Sequence, residues 1–332
     1  MSGDIIINGN FDIWQRGSSF NNPPHFTNTA DRFVFGQSAG LAQFEITRSM
    51  DVPDEQSQYS MNIEALCAYS PLPNEESHIR YGLEGREAVA KVAGKIVTFS
   101  FQVKSNCPGT YSIALVHPSS DRSAEQSYTA EYQIVQNGVW EKKSITVDLS
   151  KAHGGWSFAN ATYGLKIRFS FYAGGLYRLA PDQWVPGNYV ASTGCGNLAS
   201  VAGNYLRLSQ FKLEVGSEST PFRPADITTE LRRCQRYCLV LGGNQGGVQD
   251  SIGLTGYAGS SGETVYATVV YPTAMAKPPT VKMLGDFLTS NVVGAPSWSA
   301  GTSCATFKIT AAGPGRIAAR SGTAAVLFDA EF

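Results

Sequence analysis

The strongest constraint on this chain is a two-residue period of apolar side chains that recurs along most of its length. In Lys95–Lys104, Val97, Phe99, Phe101 and Val103 share one parity, while Thr98, Ser100, Gln102 and Lys104 share the other. Successive strand side chains point to opposite faces, so this pattern predicts a strand with its apolar set inward. Leu165, Ile167, Phe169 and Phe171 repeat it against Lys166, Arg168 and Ser170, which read as the solvent face. Further runs are Tyr59, Met61, Ile63 and Ala65; Tyr111, Ile113 and Leu115; and Ile145, Val147 and Leu149. Turn clusters such as NNPPH, SNCPG and VQNG separate them. Many short strands with no helices between them predict an all-β protein built on an antiparallel sandwich of jelly-roll type.

The phase of the pattern changes once. Leu206 and Leu208 have one parity, and Phe211, Leu213 and Val215 the other. A bulge at Ser209–Gln210 reconciles them, because one extra residue reverses the facing of all that follows. A strand buried on both faces is the alternative.

A helical pattern follows PFRP. Asp226 fits an N-cap, and Glu230 lies near the positive end of the dipole. Ile227, Leu231, Cys234, Cys238 and Leu241 fall on one stripe, either docking against the sandwiches or forming a short interchain seam. GGNQGG reads as the terminating turn. With 332 residues, two domains are the default. The predicted division is a jelly roll over 1–224, a connecting helix over 225–242 and a small β-sandwich over 243–332. In the last unit Tyr266–Tyr271, Thr280–Leu284, Ala305–Ile309 and Val326–Phe332 read as strands.

Charge narrows the function classes. Only 16% of residues are charged and the formal net charge is -1, which leaves no electrostatic footprint for nucleic acid or anionic lipid. No stretch approaches the roughly 20 apolar residues that span a bilayer. The start, MSGDIIINGN, lacks a basic segment followed by an apolar one, so the expectation is synthesis in a cytoplasm and release by lysis. The six cysteines form no C-x-x-C pair and read as reduced small hydrophobes. His25, His78, His117 and His153 lack metal-ligand spacing and read as loop or surface residues.

Two phrases are more specific. NGNFDIWQRGSSF (Asn8–Phe20) is followed by TADRF, and QFKLEVGSESTPFRPADITTELRRCQRYC runs over Gln210–Cys238. Together they resemble the N-terminal module of tailed-bacteriophage tail-fibre and head-fibre proteins, with Cys238 where a tyrosine is more usual. VVYPTAMAKPPT and the closing FDAEF are similar to the small β domain that follows in such proteins. The resemblance implies a virion protein, a homotrimeric fibre or spike subunit that meets other virion proteins and attaches to a bacterial surface glycan. Its rivals are a decorating head fibre without a receptor and a capsular depolymerase. The module is also similar to carbohydrate-binding jelly rolls, in which an NGDFE-like phrase helps to hold a structural calcium. Asp12 takes the acidic position, but Ser209 and Gln210 stand where the acidic partner would be. Local bonding of Asp12 to backbone or Arg16 is the simpler reading, and no cofactor is expected.

No catalytic residue is expected. Glycan cleavage needs two carboxylates facing across a sugar, and Asp54, Glu55, Glu75, Glu76 and Asp182 read as solvated loop acids. EESHIR (Glu75–Arg80) has no element to focus it, and nucleophile-elbow, zincin and P-loop motifs are missing. Aromatic loops are the better binding candidates, since a Trp or Tyr ring stacks on a sugar while nearby polar groups bond its hydroxyls. Tyr177–Tyr205 is a long interruption carrying Trp184 and Tyr189, with Asp182 and Asn188 beside them. Tyr257 and Trp298 fall in Gly/Ser-rich segments. For each of these rings, packing at a sandwich edge competes with ligand contact.

Overall fold

The computed structural model describes residues 5–38, 42–121, 123–245, 248–250, 252–321 and 325–332. The chain forms two compact units, residues 1–230 with Phe332, and residues 231–331. The fold is all-β.

In the first unit the strands are β1 Ser19–Asn21, β2 Thr27–Asn28, β3 Phe33–Gln37, β4 Phe44–Ser49, β5 Ser60–Ala65, β6 Glu76–Glu84, β7 Ile96–Ser105, β8 Gly109–Pro118, β9 Glu125–Ile134, β10 Glu141–Asp148, β11 Tyr163–Ala173, β12 Arg178–Leu179, β13 Trp184–Pro186, β14 Ala191–Ser192 and β15 Tyr205–Val215. One sheet has six strands in the order β1-β4-β5-β15-β7-β10, and the other seven in the order β13-β9-β8-β11-β6-β3-β2. Their inner faces share one apolar core. Val97, Phe99 and Val103 are fully buried, as are Ile113, Leu115, Leu165 and Ile167. The alternation in the sequence thus marks the inward face correctly.

The bulge is where the phase change places it. Ser209 pairs with Gln102 and Lys212 with Ser100, so three steps on β15 match two on β7. Gln210 carries the kink at φ 52°. Phe211 therefore turns inward with Leu206, Leu208 and Leu213. Its ring centroid lies 5.0 Å from that of Phe169 and within 6.4 Å of Phe33, Tyr81, Phe99 and Phe101.

The two phrases that carry the family resemblance meet at this bulge. Phe211 N–H donates to Gly9 O at 2.8 Å. A Cβ on Gly9 would collide with the Phe211 carbonyl oxygen, so the approach requires glycine. Asn8, in the left-handed region at φ 59°, ties the turn together. Its side chain accepts from Ile13 N–H and donates to the carbonyls of Ile13 and Asp31. Trp14 is 8% exposed and donates to Phe11 O at 2.6 Å, so it packs rather than projects. Arg16 pairs with Asp31, not with Asp12.

The helix is shorter than the sequence pattern suggests. It spans Ile227–Gln235, with Asp226 accepting from Thr228 and Thr229 N–H as its cap. The expected extension to residue 242 fails, and Cys238 and Leu241 belong to a strand. Tyr-Cys-Leu-Val-Leu is apolar, aromatic and branched at this point, and in the sheet both of its faces find partners. Of the predicted stripe, Ile227 is exposed and Cys234 fully buried.

In the second unit the strands are β16 Cys238–Gln245, β17 Val248–Asp250, β18 Gly253–Ala258, β19 Thr264–Val270, β20 Thr280–Met283, β21 Leu288–Ser290, β22 Ser297–Ala300, β23 Cys304–Thr310, β24 Gly315–Arg320 and β25 Ala325–Asp329. They form sheets ordered β17-β16-β25-β20, β18-β24-β21 and β19-β23-β22. The GGNQGG stretch is strand as far as Gln245 rather than a terminating turn, and its last two glycines lie outside the described residues. β25 is held between β16 and β20, and Val326, Phe328 and Ala330 are fully buried. Two small clusters fill this unit, with Trp298 packed against both.

Candidate functional site

The face of the seven-stranded sheet turned away from the core is not the solvated surface that alternation implies. On β11 the polar set Lys166, Arg168 and Ser170 is 5%, 5% and 0% exposed. The cover is the stretch between Tyr177 and Tyr205. This is not a free loop: it contributes β12, β13 and β14, and Arg178 pins it by donating to Ala173, Thr193 and Cys195 carbonyls. Ser170 Oγ donates to Val190 O, and Ser192 N–H donates to Ser112 Oγ at 3.1 Å.

EESHIR lies on a strand, contrary to its reading as loop surface. β6 begins at Glu76 and places Glu76, His78 and Arg80 on the covered face. The register sets Arg80 opposite Arg168 and His78 opposite Ser170. Glu75 and Glu76 are 4% and 7% exposed, and His78 and His117 are 2% and 0%, so none of the four is a surface residue. His78 Nδ1 lies 2.6 Å from Glu76 Oε2. Burial pushes the His78 pKa down to about 4, and the imidazole is therefore neutral at pH 7. Burial works against the Glu76 carboxylate, but His78 and Arg168 outweigh it and hold it below its ordinary range. A neutral His78 donates from Nδ1, which leaves Nε2 as a buried acceptor with no partner. The ring passes over Gly36, where a Cβ would strike it.

At one end of this face a cleft of about 350 Å3 opens, lined by Pro118, Ser123, Ala124, Glu125, Tyr163, Gly187 and Asn188. Lys166 Nζ donates to Glu125 Oε1 at 2.6 Å and sits 4.4 Å from the Tyr163 ring centroid. Tyr163 OH donates to the same Glu125 oxygen at 3.4 Å. Arg168 donates to Asn188 Oδ1 at 2.6 Å and to Tyr189 O at 3.4 Å. Burial, with Arg168 adding repulsion, brings the Lys166 pKa down to about 8. Burial opposes the Glu125 charge, yet the Lys166 bond keeps this carboxyl below its ordinary range. The cleft thus combines a half-buried aromatic ring, a carboxylate and an amide, the last two bonded to the buried cations Lys166 and Arg168. That set can stack on a ring and bond its hydroxyls.

The candidates read from the sequence fall in different places. Asn188 lines the cleft, and Tyr189 adjoins it through its backbone. Asp182 lies along the sheet edge, accepting from Tyr128 OH at 3.0 Å. Trp184 is half-buried at that edge, pairs in register with Tyr128 and stands 5.3 Å from the His117 ring. Tyr257 is 75% exposed, and Trp298 stacks on Phe307 at 4.6 Å; both belong to strands, not loops. Glu125, Tyr163, Lys166 and Arg168 were not singled out beforehand. In the sequence they look like the wet side of ordinary strands, and only the cover over β11 sets them apart.

The donors around Asp12 do not fit calcium. Asn10 Nδ2 donates to Asp12 Oδ2 at 3.0 Å, and Gln210 Nε2 donates to Asp54 Oδ1 at 2.7 Å. Amide N–H groups thus take Asp12 Oδ2 and Asp54 Oδ1, which turns the neighbouring amides toward donation rather than ligation, while Asp12 Oδ1 is buried without a hydrogen-bond partner. No group of three or more His, Cys, Asp or Glu that could hold a metal occurs among the described residues.

No family model matches this chain, and no curated protein matches it. Among solved structures it is similar to the enzymatically active domain of tailspike protein 4 of bacteriophage CBA120, at 11% identity and a TM-score of 0.33 over 59% of this chain and 21% of that one. This chain therefore spans about a fifth of that tailspike domain. It is similar to the family 11 carbohydrate-binding module of the cellulase Lic26A-Cel5E of Clostridium thermocellum, at 10% identity and a TM-score of 0.34 over 62% of this chain and all of the module. A third likeness is to TmCBM61 in complex with β-1,4-galactotriose, at 12% identity and a TM-score of 0.30 over 65% of this chain.

Proposed function

We propose that this chain is a non-catalytic, glycan-binding subunit of a tailed-phage fibre or spike, and that its ligand site is the cleft beside Tyr163. The observation that carries the glycan reading is the cleft itself, where a tyrosine ring stands beside a Lys166–Glu125 pair and Asn188 at the open end of a covered sheet face. A volume of about 350 Å3 lies at the small end of ligand sites and suits one or two sugar rings. The virion reading draws its support from the two phrases that meet at Gly9 and Phe211. Weak single sites would act together through several copies of the chain.

The test is binding of purified protein to a panel of bacterial surface polysaccharides. Tyr163→Ala should weaken retention at least tenfold without lowering the melting temperature, since the ring is half-buried beside the cleft. Unchanged binding by that variant removes the cleft from the proposal. Release of reducing ends from any polysaccharide overturns the non-catalytic reading. Failure of free protein to block phage adsorption favours a decorating role.

A further inference from the structure

Resting on that cleft reading, we infer that the cleft takes a neutral saccharide by its hydroxyls, one donating to Glu125 and another accepting from Asn188, with Lys166 and Arg168 as the positioning residues beneath. The inference starts from what each polar group has left to offer. Glu125 Oε1 is occupied by Lys166 Nζ at 2.6 Å and by Tyr163 OH at 3.4 Å, while Oε2 meets no donor among the described residues. The Glu125 side chain is 25% exposed, so Oε2 is an acceptor within reach of a ligand. Asn188 is the opposite case. A guanidinium has only donors, so the amide turns its oxygen to Arg168, at 2.6 Å. The two N–H groups of Nδ2 then point away from Arg168 and find no acceptor among the described residues, on a side chain that is exposed and lines the cleft.

The buried cations decide how these two groups are presented. Lys166 and Arg168 are each 5% exposed and lie under the lining of the cleft rather than in it. Lys166 takes Oε1 of Glu125 and leaves Oε2 to the cleft. Arg168 keeps the Asn188 amide from turning over, since a flipped amide would set N–H against N–H. The cleft wall therefore offers one acceptor and one donor beside the Tyr163 ring. A hydroxyl both donates and accepts, so two hydroxyls of a sugar stacked on that ring match the pair. Among the described residues that line the cleft, Glu125 alone carries a charge. A carboxylate on the ligand would meet like charge there, with neither cation open to receive it. An ammonium would compete for a carboxylate already bonded to Lys166. A neutral sugar meets neither cost.

The experiment titrates the full chain by low-salt calorimetry with oligomers of glucose, galactose and mannose, with the matching uronate oligomers, and with glucosamine oligomers. At least one neutral oligomer should bind fivefold or more tightly than its uronate counterpart and than the glucosamine oligomer. Asn188→Asp keeps an acceptor for Arg168 but removes the donor, and should weaken neutral binding about tenfold without lowering the melting temperature. Glu125→Gln should weaken it by a similar factor. The positioning roles have their own readouts. Lys166→Met should lose binding and Lys166→Arg should restore it, and Arg168→Met should cost nothing further once Asn188 is alanine. An Arg168→Met loss that persists undiminished in Asn188→Ala shows a merely structural role and overturns that part. Tighter binding of a uronate or of the glucosamine oligomer overturns the inference, as does neutral binding that neither Asn188→Asp nor Glu125→Gln weakens. If no neutral oligomer binds while Tyr163→Ala still weakens retention of a polysaccharide, the inference is wrong and the cleft reading stands. If no saccharide binds and Tyr163→Ala changes nothing on the polysaccharide panel, the cleft reading itself has failed.

Discussion

His78 shows how one buried side chain sets a chemical state. Its proton sits on the nitrogen facing Glu76, and its pKa is down near 4 because burial removes the water that would hold an imidazolium. The sign of the consequence follows from linkage. An unfolded chain takes up this proton below about pH 6.5, whereas the folded chain refuses it until about pH 4. The unfolded state binds more protons in that window, so stability falls as pH drops through it, by roughly 2–3 kcal/mol in total. Denaturant titration at pH 7 and pH 4.5 should show His78→Gln losing less stability than the parent by about that amount. Equal losses would mean that His78 is already protonated in the fold. At the same scale, Trp184 and Trp298 show why a tryptophan in a Gly/Ser-rich stretch is ambiguous. Both rings pack on aromatic neighbours, and nothing in their flanking residues distinguishes that from an exposed platform.

At the scale of elements, the Ser209–Gln210 bulge does the most to organise the sandwich. It turns Phe211 into the centre of five aromatic rings, and its backbone is clamped by Gly9. Gly9→Ala puts a methyl group where the Phe211 carbonyl oxygen lies, with no flexible side chain to yield. The variant should lose about 2–3 kcal/mol of unfolding free energy, the usual cost of overpacking a closed site. Chemical denaturation measures it, and a loss under 0.5 kcal/mol would show that the clamp is not needed. The helix teaches the opposite lesson. Its N-terminus was legible because Asp226 must satisfy free N–H groups locally. Its C-terminus was not, because Cys238–Leu241 fit helical spacing and strand propensity equally. The choice falls to pairing with β25, nearly ninety residues downstream.

At the scale of the molecule, each unit closes its own core, yet the two clusters of the second are small. Val270, Tyr266 and Leu288 remain more than half exposed on its strands. Small β units commonly gain stability by sharing a face with copies of themselves. Light scattering of the full chain should therefore give a mass three times that of one chain, in line with the proposed fibre. A monomer at micromolar concentration would set the fibre model aside and leave a freestanding binding module.

What the sequence alone determined is local and periodic. Alternation marked the inward face of β7, β8, β11 and β23, the phase change located the bulge, and Asp226 marked the start of the helix. These follow from rules that act within a few residues. Only the tertiary structure decided that the polar face of β11 would be covered, that EESHIR would become a strand aimed beneath that cover, and that Tyr163, Glu125 and Asn188 would share a cleft. The reason is physical: alternation tells which side of a strand is apolar, but whether the other side meets water depends on a segment elsewhere in the chain. A lysine in solvent and a lysine buried over a tyrosine ring are written with the same letter.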